Sequence, residues 1–308
     1  MSHIQTVTGP VGAETLGFTL PHEHIHLEMW NSDGEGAVTQ IDDDNILAAE
    51  LVAFAEVGGT CLIDQTPRAA GRRPERLRAL SEETGVRIVC ATGWYTEPYY
   101  PPEEGLERLK VPEIAEIMLG EIETGIGSSG VKPGLIGEIG AAQGWVSPIE
   151  EKVHRAASRA QVETGLPMAT HTIHHGAGIH QMQIFDEEGV DPSRVSIGHC
   201  DTSPNLEYCL TVARWGGYVS FDNIGFELGA HESHVVRLVC DLVEAGFEKQ
   251  LLLSQDMGQM PELGSRGGRG LTYLAEKFLP LLADAGIDED IRRRITVENP
   301  LRWLTIAN

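Results

Sequence analysis

Two histidines, His22 and His24, stand two residues apart just after an apolar run, in the stretch Leu16-Gly17-Phe18-Thr19-Leu20-Pro21-His22-Glu23-His24. In an extended strand residues i and i+2 share a face, so both imidazoles are aimed at one point while Glu23 faces away. Neutral imidazole is a common metal ligand, and two converging from a strand end make half a site. The other half is found where further apolar runs carry polar residues. Glu138 lies inside Gly134-Leu135-Ile136-Gly137-Glu138-Ile139-Gly140, His171 in Thr170-His171-Thr172, His199 in Gly198-His199-Cys200-Asp201, and Asp256 in Ser254-Gln255-Asp256. Each has a plainer reading alone: a strand-end histidine packs in a core, Glu138 pairs an arginine, Asp256 caps the next helix. Together, four histidines and two carboxylates exceed the three protein ligands of a mononuclear catalytic zinc, and a carboxylate can bridge two ions. The set predicts two divalent metal ions. Zinc is the first choice, and Mn, Fe or Co also suit imidazole with carboxylate.

Eight short apolar runs are available to position these groups: 17–20, 60–63, 86–91, 134–139, 167–170, 195–198, 217–221 and 251–254. Continuous apolar runs suit parallel strands buried on both faces. Amphipathic helical segments alternate with them, near 44–56, 112–123, 178–188, 233–245 and 271–285. The clearest opens at Ser147-Pro148-Ile149-Glu150, with a Ser cap, Pro at the first helical position and Glu three residues after the cap; it runs to about Glu163 and stops before Gly165 and Pro167. Strand and helix repeated eight times predict a (β/α)8 TIM barrel, whose chemistry sits at the C-terminal ends of the strands. That rule puts all six metal-type side chains on one rim. A doubly wound open sheet is the runner-up, but no G-x-G-x-x-G follows the first strand. No linker divides the chain, so residues 1–308 read as a single barrel domain, with residues 1–15 as an N-terminal cover.

The chain has 308 residues, 41% of them apolar, and acidic residues outnumber basic ones 46 to 23 for a formal charge of −23. A sizeable core can be buried, and no basic patch invites nucleic acid. Five cysteines, Cys61, Cys90, Cys200, Cys209 and Cys240, include no C-x-x-C pair, and Cys61, Cys90 and Cys200, in or beside apolar runs, read as reduced core thiols. No signal peptide and no membrane-length apolar stretch is visible, so the expected setting is cytoplasmic, without a membrane partner.

Several of these stretches resemble the phosphotriesterase family of the amidohydrolase superfamily. They are Thr6-Val7-Thr8-Gly9-Pro10, the run from Leu16 to His24, Thr170-His171-Thr172, Ile197-Gly198-His199, Ser254-Gln255-Asp256 and Glu298-Asn299-Pro300-Leu301-Arg302-Trp303-Leu304. The resemblance implies a binuclear metal centre in a (β/α)8 barrel. By position, His22, His24 and Asp256 would hold the more buried ion, and His171 and His199 the more exposed one. The fourth-strand residue would bridge them. The founding phosphotriesterases carry a carboxylated lysine there. This strand offers Glu138, with Lys132 upstream of it, and so resembles the phosphotriesterase-homology branch, which uses a plain Glu. Lactonases populate the neighbouring branches.

The expected reaction is hydrolysis: two cations acidify a shared water, and the hydroxide they hold attacks a lactone or related carboxylic ester, one that could carry an anionic group. An N-acyl amide hydrolase and a promiscuous phosphotriesterase are alternatives, and a binding module on an inactive barrel is the non-enzyme rival. Asp256 would accept the proton. Asp201 would either relay it or hold a histidine N–H. Substrate contacts are expected from loops: Trp94 and Tyr95 on the third, His174 on the fifth, Asn223 on the seventh, and Arg266 and Arg269 on the Gly-rich eighth. The aromatics could instead simply pack their loop, and the two arginines could clamp an anion or stay solvated. A small-molecule substrate is the expected partner, and barrels of this type often form a homodimer.

Overall fold

The computed structural model describes residues 2–30, 37–226 and 229–306. The strands found there are β1 (Ile4–Thr6), β2 (Gly9–Val11), β3 (Phe18–Glu23), β4 (Leu27–Trp30), β5 (Ala37–Ile41), β6 (Gly59–Asp64), β7 (Arg87–Thr92), β8 (Leu135–Gly140), β9 (Met168–His171), β10 (Val195–Ile197), β11 (Tyr218–Phe221) and β12 (Leu251–Leu253). The α-helices are α1 (Asp44–Glu56), α2 (Pro74–Thr84), α3 (Val111–Thr124), α4 (Pro148–Thr164), α5 (His175–Glu188), α6 (Leu206–Trp215), α7 (Ala230–Glu244), α8 (Leu279–Asp284), α9 (Glu289–Arg293) and α10 (Asn299–Leu304).

Eight of the strands form one parallel sheet in the spatial order β3-β6-β7-β8-β9-β10-β11-β12. The ends are stitched by Asp256 N–H donating to the His22 carbonyl (3.0 Å) and His24 N–H to the Met257 carbonyl (3.1 Å). The sheet is thus a nearly closed barrel, and each of the eight expected runs supplies one of its strands. Side chains alternate across the wall. Cys61 and Ile63 join an inner cluster with Val89, Leu135, Ala169 and Leu252, while Leu62 belongs to the outer layer beneath the helices. Ile4, Leu16, Trp303 and Leu304 belong to the inner cluster as well. Truncating one of these fully buried aliphatics to Ala should cost about 2–5 kcal/mol.

Local sequence explains the framing helices. In α4, Ser147 Oγ accepts from Glu150 N–H and the Glu150 carboxylate accepts from Ser147 N–H, closing a capping box, and Gly165 ends the helix in the left-handed region (φ 68°). In α1, the Asp43 carboxylate caps Asn45 and Ile46 N–H. Three features go beyond the sequence expectation. Helix α2 is strongly charged and buries only Pro74, Leu77, Leu80 and Ser81, so its apolar stripe is thin. Helix α6, capped by the Asn205 side chain on Tyr208 N–H, is short. Strands β4 and β5 pair antiparallel beyond the end of β3, which brings Leu27 and Met29 to the rim. The helix expected over 271–285 begins with a wide π turn at Leu274–Phe278 before α8. No helix among the described residues is long and apolar enough to cross a membrane.

Candidate metal centre

The C-terminal ends of five strands bring the six residues together: His22 and His24 at β3, Glu138 in β8, His171 closing β9, His199 just after β10 and Asp256 just after β12. His22 Nε2 lies 3.6 Å from Glu138 Oε2 and 3.5 Å from Asp256 Oδ1. His24 Nε2 lies 3.1 Å from Asp256 Oδ1 and 3.6 Å from Glu138 Oε1. His171 Nδ1 and His199 Nε2 stand 3.2 and 3.4 Å from Glu138 Oε2, and 2.6 Å from each other. Glu138 therefore lies among four imidazoles, with His22, His171 and His199 nearest Oε2 and His24 nearest Oε1. It reaches that place because β8 shifts register against β9 between Ile136 and Ile139. Gly137, at φ 136°, permits the approach: a Cβ there would sit 2.4 Å from the Ala169 carbonyl oxygen.

These spacings fit metal ligation. Donors held about 2.0–2.2 Å from one ion lie roughly 3.0–3.5 Å apart. Two groups of three ligand atoms lie close to that range, each within 4.8 Å of one another: His22 with His24 and Asp256, and His22 with Glu138 and His199. His171 stands beside the second group. The buried His22 Nε2 has no hydrogen-bond partner although its Nδ1 does, so a ring nitrogen faces the centre with nothing to bond it. The field there is negative. Burial pulls the His22 imidazole down, yet Asp256, Asp222 and Glu138 outweigh it and lift it to about 9. Burial favours a protonated Glu138, but His171 and His22 hold its carboxyl well below the usual range. A field that draws a proton onto a buried imidazole also draws a divalent cation, in competition with that proton.

Backbone strain marks the same residues. His199 (φ 56°) and Asp256 (φ 48°) occupy the left-handed region without being glycine, a conformation that costs about 1–2 kcal/mol per residue. Neighbouring groups hold each in place. His199 N–H donates to both Asp222 oxygens at 3.0 and 3.2 Å. Asp256 is flanked by Gln255 and Met257, whose N–H groups both donate to the buried Glu23 carboxylate at 2.9 and 2.8 Å, with Ser254 Oγ adding a third bond at 2.8 Å. Burial pushes Glu23 up to about 7 against those donors. On sequence alone Glu23 is only the residue facing away from the centre. Its position between the two histidines is what lets it grip the eighth loop.

The larger omission is Asp222, just past β11. Its Oδ2 accepts from His22 Nδ1 (2.9 Å) and its Oδ1 from His199 Nδ1 (2.8 Å). Strand seven ends in Phe221-Asp222-Asn223, so asking which polar residue closes each run would have found it. Asp201 is fully buried and accepts from Asn223 N–H at 2.8 Å. Burial, then Asp222, pushes it up to about 7. No imidazole among the described residues hydrogen-bonds Asp201; the histidine N–H partner is Asp222.

The centre opens into a cleft of about 280 Å³. Its floor is Glu138, His24, His171 and Asp256, and its walls include Leu27, Met29, Pro67, Tyr99 and Phe226. Of the residues expected to meet substrate, Tyr95 and Asn223 line it. Tyr95 Oη is 3.1 Å from His171 Nε2, and the Asn223 amide 3.0 Å from His199 Nδ1. The others do not line it. Trp94 is buried under Arg68, whose guanidinium lies 5.8 Å from its ring. His174 is exposed at the start of α5, and Arg266 is exposed on the eighth loop. Arg269 is committed elsewhere, to Glu262 Oε1 (2.6 Å) and the Ile224 carbonyl (2.7 Å), with its guanidinium 5.7 Å from the Phe226 ring.

A parallel eight-stranded barrel with this cluster at the C-terminal ends of its strands has the anatomy of a (β/α)8 hydrolase. The chain belongs to the Phosphotriesterase family, whose sequence profile matches residues 2–304. It is similar to the phosphotriesterase homology protein of Escherichia coli K12, 34% identical over 293 residues that cover 94% of this chain and 98% of that one. The crystal structure of the E. coli protein, with phosphate in its active site, superposes with a TM-score of 0.89 at 33% identity over 94% of this chain and 98% of that one. A lactonase from Listeria monocytogenes superposes with a TM-score of 0.92 at 30% identity, covering 99% of this chain and 100% of that one. Human N-acetyltaurine hydrolase is 28% identical over 344 residues, 98% of this chain and 97% of its own. The protein is accordingly a hydrolase.

Proposed function

We propose that this chain is a binuclear metal-dependent hydrolase of an uncharged lactone or related carboxylic ester. His22, His24 and Asp256 would hold one ion, His171 and His199 the other, and Glu138 both. When bound, two divalent ions supply the acidified water and the polarised carbonyl that ester hydrolysis needs, and zinc, Mn, Fe or Co suits the donor set. The protein's own groups do the rest. Asp256 keeps Oδ1 toward His24 and is the partly exposed carboxylate of the cleft floor, its side chain 22% accessible, so its other oxygen is placed to take the proton of the attacking water. The ester C–O bond breaks, and that proton passes to the leaving alkoxide to give the hydroxy acid. Asp201, bonded to the Asn223 N–H, is assigned the second place on the proton path outward. Tyr95 orients His171 through its distal nitrogen.

The observation that carries the substrate class is the composition of the cleft wall. Leu27, Met29, Pro67, Tyr99 and Phe226 are offered to the substrate, and no Lys or Arg lines the cleft among the described residues. The nearby cation, Arg269, is already neutralised by Glu262. An anionic group held against that wall, away from the ions on the floor, would find no cationic side chain among the described residues to pair it. This weighs against the anionic group allowed for on sequence grounds. It also weighs against an N-acyl amide bearing a sulfonate, the alternative suggested by the N-acetyltaurine hydrolase relatives. Promiscuous phosphotriester hydrolysis ranks third. Side-by-side kcat/KM values for an alkyl lactone, N-acetyltaurine and a paraoxon-type triester test the ranking. The lactone should lead by at least tenfold; a faster anionic amide would overturn it.

The remaining assignments follow from the same reading. Residues 1–308 act as one barrel domain, with residues 1–15, which contain the β1–β2 hairpin, as its cover. The free cysteines Cys61, Cys90, Cys200, Cys209 and Cys240 suit a reducing compartment, and we assign the protein to the cytoplasm. Its partner is a small molecule, without nucleic acid or membrane. Sedimentation at twice the chain mass would establish the homodimer its class suggests.

A further inference from the structure

We infer that Asp222 is a positioning residue that ties the two ion subsites together from behind, an inference that rests on the binuclear reading above. Glu138 meets His22 and His199 from within the centre, both at Oε2. Asp222 meets the same two rings from their far side, one oxygen to each: Oδ2 to His22 Nδ1 at 2.9 Å and Oδ1 to His199 Nδ1 at 2.8 Å. Its side chain is fully buried and reaches between strand ends far apart in sequence, β3, β10 and β11. Gly198 lies directly alongside, where a Cβ would come within 3.5 Å of Asp222 Oδ2.

The consequence is a bias toward one tautomer on both rings. A carboxylate only accepts hydrogen bonds, so Asp222 favours the proton on each Nδ1 and the lone pair on each Nε2; at His199 its 2.8 Å contact outcompetes the Asn223 amide, 3.0 Å from the same Nδ1. Those are the nitrogens that face Glu138 at 3.6 and 3.4 Å. One side chain thus sets a ligand of each flank, and disturbing it should be felt at both ions.

An amide at this position separates the two bonds. In Asp222→Asn the side-chain oxygen can stay with His199, which donates both its N–H and its Nδ1–H to that residue. The NH2 group is then left facing His22 Nδ1. As a donor it favours the opposite tautomer, with the proton moved onto Nε2, the atom needed for the ion. Loss of such a supporting contact typically weakens metal binding about 10–100-fold.

The test uses the full-length protein loaded with manganese and followed by electron paramagnetic resonance, with metal per chain measured in parallel. The wild type should hold two ions per chain and give the spectrum of a coupled pair. Asp222→Asn, shown to be folded by circular dichroism, should lose the coupled signal at manganese concentrations that fill the wild type. An uncoupled Mn(II) signal should replace it, with the affinity for the pair down at least tenfold. If the variant binds both ions within twofold of the wild-type affinity, the inference is overturned while the binuclear reading stands. If the wild type itself binds fewer than two, that reading fails first. Should Asp222→Asn not fold, nitrogen-15 NMR of the zinc-loaded wild type decides. The ring N–H protons of His22 and His199 should be shifted downfield and slow to exchange, and exchange at the rate of free imidazole would overturn the inference.

Discussion

Replacing Glu138 by Gln keeps the shape of the side chain and removes one negative charge from the middle of four imidazoles. The charge is buried: the residue is 3% exposed, and its oxygens lie 3.2–3.6 Å from His171 Nδ1, His199 Nε2, His22 Nε2 and His24 Nε2. A unit charge acting at about 3.4 Å through an effective dielectric near 20 is worth about 5 kcal/mol per opposing charge. Breaking a buried ion pair typically costs about 3–5 kcal/mol. At roughly 1.4 kcal/mol per decade, Glu138→Gln should weaken metal binding by about two to three and a half decades, and turnover should fall with it. Metal per chain after passage over a chelating column, paired with initial rates on a lactone, reads both quantities. A folded Glu138→Gln protein that keeps two ions at wild-type affinity and wild-type turnover would refute the bridging role.

Three further outcomes are expected. Asp256→Asn should retain part of the metal yet lose about 10²–10⁴ in kcat, the usual worth of a positioned proton acceptor; steady-state kinetics with unchanged turnover would remove that role. Tyr95→Phe deletes the hydroxyl 3.1 Å from His171 Nε2 and should lower kcat/KM roughly tenfold by loosening that ring, which a metal titration and a rate series would read together. His154 is fully buried between the Glu150 carbonyl at 2.7 Å and Gln181 Nε2 at 3.0 Å, and burial lowers its pKa from 6.5 to about 4. Because the folded state resists protonating it, a penalty of roughly 3 kcal/mol is absent above pH 6.5 and accumulates as pH falls toward 4. His154→Gln should flatten that part of the Tm-against-pH curve relative to the wild type, and parallel curves would contradict the assignment.

What the sequence made legible was whatever a single strand carries by itself. Eight apolar runs announced the barrel because each strand is buried on both faces, and polar residues inside or just after those runs gave His22, His24, Glu138, His171, His199 and Asp256. What stayed hidden depends on which strand ends meet across the barrel. Nothing local says that one Asp222 oxygen reaches an imidazole from β3 and the other an imidazole beyond β10. Glu23 looked idle because its partners, Gln255 and Met257, lie on the last loop. Arg269 showed its charge but not its neutralisation by Glu262, which requires the Gly-rich loop to fold back on itself. Helix α2 escaped notice because a helix that buries so few apolar side chains leaves little periodicity to read.

Crystals of the metal-loaded protein, measured for anomalous scattering at the absorption edge of the bound metal, test the binuclear centre most directly. Two peaks roughly 3.5–4 Å apart, one on either side of the Glu138 carboxylate and within bonding distance of the histidine nitrogens, are the predicted result. One peak, or none at this rim of the barrel, would contradict it.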